Sequence, residues 1–244
     1  MPLLLDADRQ PHPVVVQSWL AGENCAALPE DDASWVALLT QFAAVHRISP
    51  GTTAISLSDA VFDAHNTNDV RQRIEATLMR LPASAVPAGV RDLMRRLDGT
   101  VLPQWSPPSL RLTHGDPNVR NFIRRPDAWA FVDWEYSGWG DPAFEIANLI
   151  THPGNIPVPL PRWDWVAAQY AAFSDDAGAE TRIRTYCTML AVAFAAYFAN
   201  LGYQFDAGEG ERERLMPQSP SRRAEIASHY RHYLTVATTL LDAR

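Results

Sequence analysis

The sequence contains no lysine: all 21 basic residues of the 244-residue chain are arginines. This absence excludes a phosphate-loop lysine, a lysine Schiff base with pyridoxal phosphate and a lysine general base within the chain. Codon bias explains most of it, because alanine and arginine are both abundant. Any catalysis by this chain must therefore rely on side chains other than lysine.

Cysteine and net positive charge are also scarce. Two cysteines, Cys25 and Cys187, offer no disulfide framework, so we expect a protein of a reducing compartment, the cytoplasm. The formal charge of −7 argues against a nucleic-acid partner and mildly favours a cationic ligand. Residues 1–8 show no signal peptide, and the longest apolar run, residues 186–201, predicts a buried helix rather than a membrane span.

The hydrophobic pattern predicts an α+β fold that is strongly helical towards its C-terminal end. Strands are predicted at residues 14–16, 110–113, 121–124 and 129–133, the last two joined by a hairpin turn at 125–127. Helices are predicted at residues 34–47, 68–80, 87–97, 142–150, 162–173, 179–202 and 220–242.

The most informative residues, Asp116, Asn121 and Asp133, fall at the ends of short predicted strands and in the loop between them. Such positions present polar groups from a rigid scaffold. One carboxylate can accept the proton of a substrate hydroxyl, while an amide oxygen and a second carboxylate hold magnesium. Taken singly, each residue is an ordinary turn former. As a spaced set, they predict phosphoryl transfer.

The chain resembles a known family in three motifs: His-Gly-Asp at 114–116 with Asn121, Val-Asp-Trp-Glu at 132–135, and Gly-Asp-Pro at 140–142. These resemble the aminoglycoside phosphotransferase and choline kinase-like family. The resemblance implies a protein kinase-like fold, mainly its helical C-lobe with a catalytic β-hairpin. It also implies an ATP- and magnesium-dependent phosphotransferase that acts on a hydroxyl of a small polar molecule, aminoglycoside-like or amino alcohol-like.

The resemblance assigns roles to single residues. Asp116 would be the catalytic base, and Asn121 and Asp133 would bind Mg²⁺. Asp141 would hold the catalytic loop in shape, and His114 would support the loop's backbone.

Residues 14–23 resemble the last N-lobe strand and the hinge, so that backbone groups of Ser18 and Leu20 would contact adenine. Arg120 departs from the family's smaller residues; it either approaches the transferring phosphate or is a solvated loop residue. Glu145 replaces the family's usual aspartate, and Glu135 joins the metal site or, as we slightly favour, forms a solvated ion pair.

The resemblance divides the chain into residues 1–22, a remnant of the N-lobe, and residues 23–244, a kinase-like C-lobe with a helical substrate subdomain. Nothing before Val14 resembles a glycine-rich loop or a lysine-bearing strand. We therefore expect impaired activity in this chain, and exposed apolar surface that favours a homodimer. The expected partner is a small-molecule substrate, with no nucleic acid and no membrane.

Two other functions are weighed against this one. The first is a catalytically inactive kinase-like remnant that acts as a binding or regulatory module. The second, much less favoured, is a metal-dependent hydrolase using His114, Asp116, Asp133 and Glu135. The histidines at 46, 65, 152, 229 and 232 show no metal-ligand spacing and are interpreted as scattered surface or core residues.

Overall fold

The computed structural model describes residues 4–8, 14–52, 56–126, 128–208 and 219–244. It divides into two compact units. The first unit comprises Met1–Asp63 and Ser109–Ala179, and the second comprises Ala64–Pro108 and Glu180–Arg244. All three candidate residues, Asp116, Asn121 and Asp133, lie in the first unit, which also contains every strand of the described part of the chain. The domain boundary that the resemblance implies at residue 22 remains a prediction.

The strands are short and form three antiparallel sheets. In chain order they are β1 (Leu4–Asp8), β2 (Val14–Gln17), β3 (Glu23–Asn24), β4 (Arg111–Thr113), β5 (Phe122–Arg124), β6 (Trp129–Phe131) and β7 (Gly138–Gly140). β1 pairs with β2, β5 lies between β3 and β6, and β4 pairs with β7. The helices are α1 (Asp32–Val45), α2 (Thr67–Leu78), α3 (Ala88–Gly99), α4 (Pro142–Thr151), α5 (Leu160–Phe173), α6 (Ala179–Ala207) and α7 (Pro220–Asp242).

The predicted hairpin is confirmed. β5 and β6 pair with Phe122 opposite Phe131 and Arg124 opposite Trp129, which places both phenylalanines in the core. Asp127 of the predicted turn lies outside the described residues. The prediction that the second strand continues to residue 133 is wrong, because β6 ends at Phe131 and Asp133 adopts a left-handed backbone with φ 64°.

Helix α1 covers the hairpin. It begins after Asp31, whose carboxylate accepts a hydrogen bond from the Ser34 amide at 2.8 Å and so caps the helix. Its buried face includes Phe42, whose ring centroid lies 4.6 Å from that of Phe131 and 5.7 Å from that of Phe122. This aromatic contact fixes the hairpin, and therefore the loop that precedes it, against a rigid helix.

The second unit is helical, formed by α2, α3 and α7 with all of α6 beyond its first residue. Helix α6 is long and apolar enough to cross a membrane by length and composition, but 78% of its most apolar window is buried within the protein. This burial agrees with the buried helix that the sequence predicts there.

Candidate active site

The loop that carries the candidate base begins with a glycine that no other residue replaces without strain. Gly115 follows β4 and has φ +82°, a conformation that L side chains rarely adopt. A Cβ at this position would overlap the carbonyl group of Tyr136. The close approach lets the chain turn sharply between His114 and Asp116 and presents the Asp116 side chain beyond the end of the strand.

His114 is fully buried and holds the two halves of the site together. Its Nε2 lies 2.7 Å from the carbonyl oxygen of Val132, while its Nδ1 lies 3.3 Å from the amide nitrogen of Asp116. An amide can only donate and a carbonyl can only accept, so the proton sits on Nε2. Both ring nitrogens are thus engaged by the backbone, as expected for a residue that supports the loop.

Asn121 and Asp116, five residues apart, are in direct contact. The Nδ2 amide of Asn121 donates to the carbonyl oxygen of Asp116 at 3.1 Å and to its Oδ2 at 3.0 Å. These two bonds commit the amide nitrogen and fix the orientation of the group. The Asn121 side-chain oxygen is therefore the atom left to bind a cation.

Asp133 stands just beyond the other side of the hairpin. The amide of the preceding residue, Val132, donates to the backbone oxygen of Asn121 at 2.9 Å, so the two residues are held at the same edge. Asp133 is exposed, and it is the only residue other than glycine with positive φ in the described part of the chain. Such a conformation in a non-glycine residue is uncommon and is concentrated at functional sites.

The donor set at this edge fits Mg²⁺. An amide oxygen from Asn121 and a carboxylate from Asp133 are the oxygen ligands that magnesium prefers, and magnesium takes few ligands from protein when phosphates supply the rest. Among the described residues, no three His, Cys, Asp or Glu side chains gather closely enough to hold a metal. The four residues of the hydrolase hypothesis thus form no such cluster, and both ring nitrogens of His114 are already engaged by the backbone, which leaves the hypothesis without support from the structure.

A buried chain of side chains supports the loop from behind. Glu145 accepts a hydrogen bond from the Gly115 amide on Oε1 at 2.8 Å, and its Oε2 lies 2.7 Å from His46 Nε2. The other nitrogen of His46 lies 2.7 Å from the Tyr170 hydroxyl. Glu145 and His46 are each only 3% exposed as side chains. These side chains join α1, α4 and α5 to the loop that carries the candidate base, and the isolated sequence positions gave no signal for the connection.

Asp141 plays a different part from Glu145. It is fully buried, and its carboxylate caps α4 by accepting a hydrogen bond from the Ala143 amide at 2.9 Å. Glu145, one turn further along α4, instead accepts a hydrogen bond from the Gly115 amide of the loop. Glu145, which replaces the family's usual aspartate, thus contacts the loop directly.

The remaining candidates lie near the surface. Ser18 and Leu20 are half-buried between β2 and β3, on either side of the exposed Trp19. Arg120 is exposed, and its backbone amide donates to Asn118 Oδ1 at 3.1 Å. Glu135 is exposed, and no described cation lies within ion-pair distance of it, so the ion pair that we favoured is not found.

A further histidine, which the sequence did not single out, lies beside the candidate base. His152 Nε2 is 3.6 Å from Asp116 Oδ1. Burial lowers the pKa of His152, and the neighbouring Asp116 carboxylate opposes this effect in part. The ring is therefore held neutral around pH 7.

Comparison with known proteins shows which family the chain matches. The model of the family described as "Phosphotransferase enzyme family" matches residues 2–186, which include every candidate site residue. Protein LicA from Haemophilus influenzae is 46% identical over 41 residues, a match that covers 17% of this chain and only 15% of that relative.

Solved structures share the fold. A choline/ethanolamine kinase family protein from Mesorhizobium loti matches with a TM-score of 0.62 at 19% identity, over 99% of this chain and 76% of that one. The GDP complex of aminoglycoside 2′-phosphotransferase-IIIa gives a TM-score of 0.60 at 14% identity, over 96% and 75% of the two chains. The family match covers well over half of the sequence and contains the loop, the hairpin and the candidate site residues. This chain therefore belongs to the phosphotransferase enzyme family and has its kinase-like α+β fold.

Proposed function

We propose that the chain carries the catalytic half of an ATP- and Mg²⁺-dependent phosphotransferase whose acceptor is a hydroxyl of a small polar molecule. Family membership supports the reaction class. The observation that carries the proposal is the contact between Asn121 and Asp116. The Asn121 side chain donates two hydrogen bonds to Asp116, of 3.1 and 3.0 Å, in a loop held by buried groups. A turn of ordinary surface residues does not need such support.

In this mechanism Asp116 is the base. Its carboxylate orients the acceptor hydroxyl and takes the proton as the hydroxyl oxygen attacks the γ-phosphorus of ATP and ADP departs. Asn121 keeps the Asp116 carboxylate in one orientation, and positioning of this kind is most of what the protein contributes to phosphoryl transfer. Asp116 is partly exposed, which leaves it open to a substrate.

The nucleotide and its metal are assigned to the same unit. Asn121 and Asp133 would hold Mg²⁺, which neutralises charge on the phosphates when bound. Ser18 and Leu20 would offer backbone groups to adenine. The exposed Arg120 would reach a phosphate oxygen, for which a guanidinium is well suited.

The acceptor is assigned by class only. The net charge of −7 favours a substrate that carries a positive charge, so an amino alcohol or an aminoglycoside is the first choice. We place the protein in the cytoplasm, where ATP is available. The competing proposal is a kinase-like module without turnover, motivated by the absence of a phosphate-clamping lysine from all 244 residues.

A binding titration and a turnover assay separate these two proposals. Thermal shift with ATP, GTP or ADP, each with and without Mg²⁺, reports nucleotide binding, and release of nucleoside diphosphate over a panel of amino alcohols, aminoglycosides and sugars reports turnover. We expect a Mg²⁺-dependent shift and a slow, acceptor-dependent release, because we expect the activity of this chain to be impaired. Nucleotide binding without release of diphosphate from any acceptor would favour the module. The absence of both binding and release would reject the phosphotransferase.

A further inference from the structure

The turn that follows α4 contacts the catalytic loop through a fully engaged side chain. Asn155 is 5% exposed, and its Oδ1 accepts a hydrogen bond from the Val119 amide at 2.8 Å. Its Nδ2 donates to the carbonyl oxygens of Pro117 and Leu149, both at 2.8 Å. Hydrogen bonds thus connect the loop on either side of residue 118 to the end of α4. His152 lies three residues before Asn155, in the same turn.

The same turn sets the tautomer of His152. The amide of Gly154 donates to His152 Nδ1 at 3.1 Å, so this nitrogen carries a lone pair. The proton of the neutral ring is therefore on Nε2, the atom that lies 3.6 Å from Asp116 Oδ1. The separation exceeds a hydrogen bond, and it matches the long geometry that catalytic pairs have before substrate tightens the site.

The two oxygens of Asp116 thus face two neutral donors. Asn121 Nδ2 donates to Oδ2 at 3.0 Å, and His152 Nε2 lies 3.6 Å from the other oxygen, Oδ1. A neutral donor orients a carboxylate, and it lowers the pKa of the carboxylate less than a neighbouring cation would. Burial disfavours the charged form of His152 and so supports this arrangement.

We propose that His152 is a positioning residue for Asp116: its Nε2–H holds the carboxylate in the orientation that receives the acceptor's proton. This inference rests on the proposed function, because it needs Asp116 to be the base. Asn155 fixes the turn that carries His152, and Asn121 holds the other carboxylate oxygen. The site thus has a third contributor, from the turn after α4, besides the loop and the hairpin.

Two substitutions separate positioning from packing. His152→Gln keeps an amide donor near the place of Nε2, whereas His152→Phe keeps the ring's bulk and removes the donor. Loss of a hydrogen bond to a charged group predicts a kcat lower by about 10- to 100-fold for His152→Phe, with the KM for ATP unchanged. His152→Gln should retain most of the kcat, and His65→Phe, which alters a histidine of the second unit, should retain all of it.

The outcomes distinguish the two proposals. If His152→Phe has the wild-type kcat and Asp116→Asn is inactive, the positioning role is overturned and the proposed function is left intact. Full turnover in Asp116→Asn would reject Asp116 as the base, and with it the proposed function.

A measurement without turnover judges the geometry by itself. In ¹⁵N-labelled protein, long-range ¹H–¹⁵N spectra at pH 8 should show His152 protonated on Nε2, with the signals assigned by their loss in His152→Gln. The Asp116 ¹³Cγ resonance should move in His152→Phe and stay close to its wild-type position in His152→Gln. A proton on Nδ1, or an Asp116 signal that both variants leave unmoved, would overturn the inference.

Discussion

The carboxylate of Glu145 accepts a hydrogen bond from the Gly115 amide at 2.8 Å, which ties helix α4 to the peptide immediately before the candidate base. Its second oxygen faces His46 at 2.7 Å, and both side chains are almost completely buried. A group with two buried partners is costly to remove, because each partner is left without its hydrogen bond. Glu145 therefore stabilises the fold and also positions the loop that carries the candidate base.

Replacement of Glu145 by alanine should destabilise the protein strongly. The change leaves the Gly115 amide and Nε2 of His46 without a partner in the core, so we expect a loss of about 3–5 kcal/mol in the free energy of unfolding, measured by urea titration. Glu135→Ala removes an exposed glutamate of the same unit and should change stability by less than about 0.5 kcal/mol. Equal losses in the two variants would show that the contact with Gly115 has no structural role.

Gly115→Ala tests the turn before Asp116. The backbone has φ +82° and the new Cβ would overlap Tyr136, so we expect a loss of at least about 1–3 kcal/mol and of most activity. Gly99→Ala is the matched control at the end of α3, where no heavy atom lies within 4 Å of the added Cβ. It should be neutral or stabilising by about 0.5–1 kcal/mol. A tolerated Gly115→Ala would contradict the close approach at this turn.

Asp133→Asn tests the metal assignment. A neutral amide binds magnesium more weakly than a carboxylate, so the part of the ATP-induced thermal shift that needs Mg²⁺ should fall sharply. The shift with ATP alone should persist, because Ser18 and Leu20, the proposed adenine contacts, are unaltered. Asp59→Asn alters an exposed aspartate of the same unit and should behave as wild type. A full Mg²⁺-dependent shift in Asp133→Asn would place the metal elsewhere.

Stability should fall in mild acid because of α7. Burial lowers the pKa of His229, and burial together with His229 lowers the pKa of His232. A lowered pKa in the folded state means that the unfolded chain binds protons more readily, so stability rises with pH in this range. It should be complete above the usual histidine value of about 6.5 and decline as the pH falls through and below that value.

Urea midpoints at pH 7.5 and 5.5 measure this decline. Glu225, whose Oε1 lies 3.8 Å from His229 Nε2, opposes the effect without reversing it. His229→Gln with His232→Gln should reduce the difference between the two midpoints. An unchanged difference in the double variant would assign the pH dependence to other groups.

The two thiols should differ in reactivity. Cys187 is buried, and burial raises its pKa strongly, so it should resist a thiol reagent until the protein unfolds. Burial raises the pKa of Cys25 as well, but this residue beside β3 is half-exposed and should react in the native state. Titration should therefore count one thiol in the native protein and two in denaturant; two native thiols would contradict the burial of Cys187.

The sequence predicted the helices and the hairpin well, because each carries its own periodic signal. Helix α7, for instance, begins at Pro220 and ends at Asp242, as expected from its pattern. β7 was missed because Gly138–Gly140 has no strand signature; it is a strand only because β4 lies beside it. The predicted extension of β6 failed at Asp133, where a polar residue leaves the sheet in a left-handed conformation.

The same distinction applies to the site. The spacing of Asp116 and Asn121 is local, and the structure brings these two side chains into contact. Contacts made over long stretches of chain have no local signature: Glu145 meets His46 across 99 positions, and Asn155 meets Val119 across 36. His46 and His152 were interpreted as scattered histidines, because only the folded chain reveals their partners.

The most direct test is the transfer of labelled γ-phosphate from ATP to an accepted amino alcohol or aminoglycoside by the wild-type chain and by Asp116→Asn. Removal of the general base should lower kcat by about 10²- to 10⁴-fold while nucleotide binding, followed by thermal shift, is retained. Asp59→Asn should transfer phosphate at the wild-type rate. Undiminished transfer by Asp116→Asn would contradict the assignment of Asp116 and the mechanism built on it.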